Sequence, residues 1–196
     1  MIGLLGGVAS GKTFVAKEFE RLGAVILDAD RAGHEVLRAA AVVEAVRKRW
    51  GPRVFDAQGN VDRTRLAAIV FAPAAKSELN YLEELTHPRI GALLQLEAAK
   101  AGESGCPLVV LDAPVMRKAG WDKMCQAVVY VDAPREVRLA RAHQRGWADA
   151  QFAAREAAQE SILAKRQAAD YVIDNSGDAT QTREQVEHLW QTLQEN

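Results

Sequence analysis

A chain of 196 residues, 48% of them hydrophobic, is long enough to bury one sizeable α/β core. Its 25 basic and 26 acidic side chains leave a formal charge of −1, so no global field draws it to nucleic acid or an anionic membrane. Cys106 and Cys125 form no Cys-x-x-Cys unit and suit reduced, packed thiols. No run approaches the ~18 apolar residues of a membrane span, and glycines and Lys12 interrupt the apolar start too soon for a signal peptide. The expectation is a soluble cytoplasmic protein, a monomer or weak homo-oligomer, with a small molecule rather than a polymer as partner.

The first apolar run, residues 2–5, reads as a strand covered on both faces. It meets Gly6-Gly7-Val8-Ala9-Ser10-Gly11-Lys12-Thr13, which fits the phosphate-binding pattern G-x-x-x-x-G-K-[ST]. Glycines let successive backbone N–H groups turn toward phosphate oxygens, and the helix predicted over 12–22 presents its positive end to the same anion. Lys12 can reach the β- and γ-phosphates, and the Thr13 hydroxyl can bind Mg²⁺. The helix carries Phe14, Val15, Phe19 and Leu22 on its apolar face.

A second strand, residues 24–27, ends at Asp28-Ala29-Asp30. A kinase needs a carboxylate at the acceptor hydroxyl. One aspartate could orient that hydroxyl and take its proton while the other assists Mg²⁺ or the turn; Asp30 could equally cap the helix that follows. Residues from about 31 to 105 are helix-rich, with turn signals at Gly51-Pro52, Gly59-Asn60 and Pro73. That is too long for a simple crossover and predicts an inserted helical subdomain. Strands over 108–111 and 128–131 then end at Asp112 and Asp132.

Arg135, Arg138, Arg141 and Arg145 follow at spacings of 3, 3 and 4, which places them on one helical face. Residues 135–166 hold seven Arg/Lys against four acidic residues, which suits an arginine-bearing lid over about 135–169, with Arg141 the favoured phosphate contact. A fifth strand, 171–173, ends at Asp174-Asn175. Val186, Leu189, Trp190 and Leu193 then mark an amphipathic C-terminal helix. The predicted fold is α/β: a doubly wound, five-stranded parallel sheet of the P-loop kinase type, with a helical substrate-binding insert and a helical lid. The core would comprise about 1–30, 106–134 and 170–196.

No Asn-Lys-x-Asp guanine-reading motif occurs, so a GTPase switch is disfavoured. Another metabolite kinase, or a nucleotide-dependent regulatory module without catalysis, would share the loop but has no need of every other landmark.

These landmarks together resemble the dephospho-CoA kinase family over nearly the whole chain. They are the loop 6–13, Asp28-Ala29-Asp30 with His34-Glu35-Val36, His87-Pro88-Arg89-Ile90, and Asp112-Ala113-Pro114-Val115-Met116. The pair Arg141 and Arg145 follows, then Gln159, Lys165-Arg166, Ala169-Asp170 and Ile173-Asp174-Asn175. The resemblance implies transfer of the ATP γ-phosphate to the ribose 3′-hydroxyl of dephospho-CoA, with ATP and Mg²⁺ required. It implies Asp30 as base, and Lys12 and Arg141 as charge stabilisers. ATP would be held by Gly7, Val8, Ala9, Ser10, Gly11, Lys12, Thr13, Phe14, Arg141 and Asn175, the last near adenine. The acceptor side would include Asp28, Asp30, His34, His87, Pro114 and Arg145, with dephospho-CoA on the insert. Two departures stand out: Met116-Arg117-Lys118 where the family usually has Leu-Phe-Glu, and Gly146 after the lid arginine where it usually has Asp.

Overall fold

A computed structural model describes residues 1–195. Five parallel strands form one sheet in the order β2-β3-β1-β4-β5: β1 (Ile2–Gly6), β2 (Val25–Asp28), β3 (Val109–Asp112), β4 (Ala127–Asp132) and β5 (Tyr171–Asp174). The apolar runs read from the sequence become these strands, and each extends onto or toward the glycine or aspartate that follows it. β1 lies in the middle, fully buried, with β3 on one side and β4 on the other. Connections therefore leave β1 in both directions, and the crevice at its carboxyl end is where ligands bind in open α/β sheets.

The two edge strands depart from the expectation of cover on both faces. Val25 on β2 is 38% exposed and Val172 on β5 is 44% exposed. Each has a neighbour on one side alone, so β-branched composition identifies the strand but not its place in the sheet.

Helix α1 (Lys12–Arg21) and helix α9 (Ala179–Gln194) cover one face, where Val15 and Phe19 meet Ile2, Leu4, Val129, Val186 and Leu189. Asp178 starts α9 by accepting from the amides of Thr180 at 2.8 Å and Gln181 at 3.0 Å. The region expected to act as a lid folds into three helices, α6 (Arg135–Gln144), α7 (Asp149–Ala157) and α8 (Ile162–Gln167). Phe152 of α7 and Ala142 of α6 are fully buried against Val8 and Ala9. Helices α6 and α7 thus pack on the loop that follows β1.

Contacts divide the chain into two compact units: Met1–Asp28 with the chain from Glu97 onward, and Ala29–Leu96. The second unit contains α2 (Ala29–Val36), α3 (Ala40–Trp50), a 3₁₀ turn over Pro52–Val54, α4 (Arg63–Val70) and most of α5 (Lys76–Glu103). The sequence turn signals fall between these helices. Within the unit, Trp50 packs edge-on to Tyr81 with centroids 5.5 Å apart, and its indole N–H donates to Glu78 at 2.7 Å. That joins α3 to α5. Pro88 lies inside α5 and lacks the N–H that would bond the Glu84 carbonyl.

Candidate active site

The loop after β1 has the backbone of an anion cradle. Gly11 stands at φ 97° and Ala9 at φ 59°, both left-handed, and the loop closes through Ser10 N–H to the Gly7 carbonyl at 3.1 Å. Helix α1 starts directly after Gly11. The amides of Val8, Ala9, Gly11, Lys12 and Thr13 have no backbone acceptor among the described residues. Those amides and the positive helix end are available to phosphate oxygens. Gly6 and Gly11 are required sterically: a Cβ on Gly6 would lie 2.4 Å from Ser10 Oγ, and one on Gly11 would lie 2.0 Å from Asn175 Nδ2.

Lys12 Nζ donates to Asp112 Oδ1 at 2.8 Å, with both side chains about one-fifth exposed. Asp112 closes β3, and register places it beside Asp28 at the end of β2. Two carboxylates therefore end adjacent strands, one of them touching the loop lysine. Thr13 is exposed in the first turn of α1. Among the described residues no group of three or more His, Cys, Asp or Glu side chains could cage a metal. Mg²⁺ does not need one, since it commonly keeps waters and takes one or two carboxylates together with substrate phosphates. The hydroxyl of Thr13 and the carboxylate of Asp112 are oxygen donors of that kind.

The arginines expected on one helical face divide their tasks. Arg141 donates to the Ser10 carbonyl at 3.1 Å and to the Asn175 carbonyl at 2.8 Å. Burial, and then the neighbouring charge of Arg145, lower its pKa from the ordinary value. Arg138 is 2% exposed and lies against Gly7; it donates to the Val8 carbonyl at 3.3 Å and pairs with Glu156 at 2.7 Å. Arg135 pairs with the same Glu156 at 3.1 Å, whereas Arg145 is exposed at the end of α6. Helical spacing collected these residues on one side, but packing turned Arg138 into a brace for the loop.

Asn175 is 4% exposed, and its amide is committed to the protein. Nδ2 donates to the Ser10 carbonyl at 2.7 Å, and Oδ1 accepts from Thr182 at 3.0 Å. Phe14 is half-buried, with the Arg183 guanidinium 5.8 Å from its ring centroid. Pro114 lines a cavity of about 440 Å³ together with Leu5, Arg117, Gln159 and Lys165. In the second unit, Asp30 lies within the first turn of α2 rather than at its cap, His34 lies one turn further on, and His87 precedes Pro88 in α5.

Two residues outside the expected set belong to this site. Asp112 was legible as a strand end and as part of a family landmark, but without a role; its contact with Lys12 depends on β3 lying beside β1. Lys165 on α8 is 3% exposed, and its ammonium donates to the Gly6 carbonyl at 3.2 Å and to Gln159 at 2.7 Å. Burial, with the nearby charge of Lys12, brings its pKa down to about 8. No spacing in the sequence distinguishes it from a solvated lysine.

A family profile for dephospho-CoA kinase matches residues 1–181. The dephospho-CoA kinase of Aquifex aeolicus is 38% identical over 193 residues, covering 98% of this chain and 96% of that protein. That of Moorella thermoacetica is 39% identical over 200 residues, covering 99% and 92%. Among solved structures, TT1252 from Thermus thermophilus superposes with a TM-score of 0.83 at 29% identity, covering 98% of this chain and 96% of that one. The dephospho-CoA kinase from Campylobacter jejuni has the same fold, with a TM-score of 0.67 at 21% identity and coverage of 100% and 97%. With a profile match over most of its length and relatives aligned nearly end to end, the chain belongs to the dephospho-CoA kinase family.

Proposed function

We propose that this protein transfers the γ-phosphoryl group of ATP to the ribose 3′-hydroxyl of dephospho-CoA, giving coenzyme A and ADP. The observation that carries the phosphoryl-transfer reading is the glycine loop itself, with free amides, Lys12 at its mouth and Asp112 against that lysine. Family membership supports the acceptor.

On this reading the loop amides and Lys12 hold the β- and γ-phosphates, with Lys12 exchanging Asp112 for phosphate oxygens as the nucleotide enters. Thr13 and Asp112 would hold Mg²⁺, which supplies neutralisation of phosphate charge when bound. Arg141, already at the loop carbonyl of Ser10, adds positive charge to the developing phosphoryl centre. Asp30 accepts the proton of the 3′-hydroxyl as its oxygen bonds to the γ-phosphorus, and the bond from that phosphorus to the β–γ bridging oxygen breaks, releasing ADP. Asp28, His34, His87, Pro114 and Arg145 are the acceptor-side residues of this proposal.

The test is turnover of MgATP with dephospho-CoA, following ADP release and identifying the product by mass. A product heavier than the acceptor by one phosphoryl group is expected. Asp30→Asn should lower kcat by about 10²–10⁴-fold while ATP still binds. Wild-type turnover in that variant would remove Asp30 from the mechanism, and no phosphorylation of dephospho-CoA by the native chain would reject the acceptor.

A further inference from the structure

The Ala29–Leu96 unit holds a cavity of about 450 Å³ between the end of α2 and the turn that leads into α4. Its ionisable lining comprises His34, Arg38, Asp56 and Arg63. Among the described residues, the side chains of Arg38 and Arg63 make no hydrogen bond or ion pair, although other arginines of this unit are engaged. Arg49 pairs with Glu78, Arg65 with Asp62, and Arg31 with Glu35.

Asp56, the acidic member, is occupied in its own turn. One oxygen accepts from the amides of Gln58 at 3.0 Å and Asn60 at 2.8 Å, and the other from the Asn60 side chain at 3.3 Å. The cavity therefore presents two forked cations without partners, beside a carboxylate already satisfied. Planar guanidinium groups in that state match the paired oxygens of phosphate esters.

Position along α2 decides which phosphate. Asp30 and His34 are four residues apart, hence on one helical face and separated by about 6 Å of rise. Arg38 follows in the turn that ends the helix. An acceptor whose 3′-hydroxyl is at Asp30 carries its 5′-diphosphate at the other end of the C3′–C4′–C5′ edge of the ribose. From this geometry we infer that Arg38 and Arg63, with His34, bind the 5′-diphosphate of dephospho-CoA and so set the acceptor's register on Asp30. The inference rests on the acceptor reading proposed above.

The experiment measures dephospho-CoA binding by titration calorimetry without ATP, alongside steady-state kinetics, for the full chain and for Arg38→Ala, Arg63→Ala and the double variant. Each substitution should raise Kd about tenfold, and the pair about a hundredfold. The kinetic loss should be carried by the KM for dephospho-CoA, with the KM for ATP held. Lysine at both positions should restore part of the affinity. A double variant within twofold of native Kd overturns the inference, and so does an equal rise in the KM for ATP with a lowered melting temperature. Native turnover with arginine-independent binding sinks this pocket and spares the function; arginine-dependent binding without turnover does the reverse. No binding of dephospho-CoA by the native chain rejects both.

Discussion

Replacing Arg138 with methionine isolates what holds the nucleotide loop from behind. The arginine side chain is 3% exposed, and its guanidinium donates to the Ala133 carbonyl at 3.1 Å and the Val8 carbonyl at 3.3 Å, while pairing with Glu156 at 2.7 Å. Methionine fills similar volume but donates nothing. Removing one partner of a buried pair costs about 3–5 kcal/mol, chiefly through the charge left behind. Glu156 is 26% exposed and keeps Arg135, which argues for the low end. Unpaired carbonyls add to it, giving about 3–4 kcal/mol in all. In a chain of this size each kcal/mol moves the melting temperature by about 2–4 °C, so a fall on the order of 10 °C is expected.

Urea unfolding followed by circular dichroism measures the stability, and the KM for ATP reports the freed Val8 carbonyl. Glu156→Gln added to the Arg138→Met background should recover about 1–2 kcal/mol, because the abandoned charge is gone. A single variant within ~0.5 kcal/mol of native, in the range of an ordinary surface substitution, would refute the brace. Strictly additive losses in the double variant would refute the pairing.

Two further changes test the same loop. Lys165 titrates near 8 in the fold against an ordinary 10.5, so across that interval the unfolded chain binds more protons and this group's contribution to stability rises with pH. Its positive charge at the loop is lost over the same rise, so the KM for ATP should climb as pH passes about 8. Lys165→Met should flatten both profiles, and native-like profiles in that variant would remove Lys165 from phosphate binding. Gly11→Ala forces a side chain onto a φ of 97° and places its Cβ 2.0 Å from Asn175 Nδ2. Calorimetry should show ATP binding weakened by more than tenfold, whereas native affinity would mean that the loop relaxes freely.

The strands were legible because five short β-branched runs end in glycine or aspartate, a pattern set by local chemistry. Their order was not, since no residue in a run of valines records its neighbour. Val25 and Val172 show the consequence: they have strand composition, yet lie half open at the edges. The loop was legible because each of its required residues answers to phosphate. Lys165 and Asp112 stood out as landmarks, but their roles were not legible, because one acquires its role when α8 folds back to Gly6 and the other when β3 pairs with β1. Arg138 was visible as charge, but helical spacing cannot say which arginine on a face will be buried.

One arrangement unites the residues that the motif omits. The carbonyls of Gly6, Val8 and Ser10 accept from Lys165, from Arg138, and from Arg141 and Asn175. Those donors come from α6, from α8 and from the end of β5, far from the loop in sequence. A peptide unit whose carbonyl is held on one side directs its N–H to the other, so fixing these oxygens outward fixes the amides toward the phosphate. Three of the four donors are cationic side chains, which would also add positive potential behind the amides. Glycine supplies the loop's freedom to curl, and these donors remove the remaining freedom before nucleotide arrives. The anion site is thus a property of α6, α8 and the sheet together, and eight residues of motif record half of it.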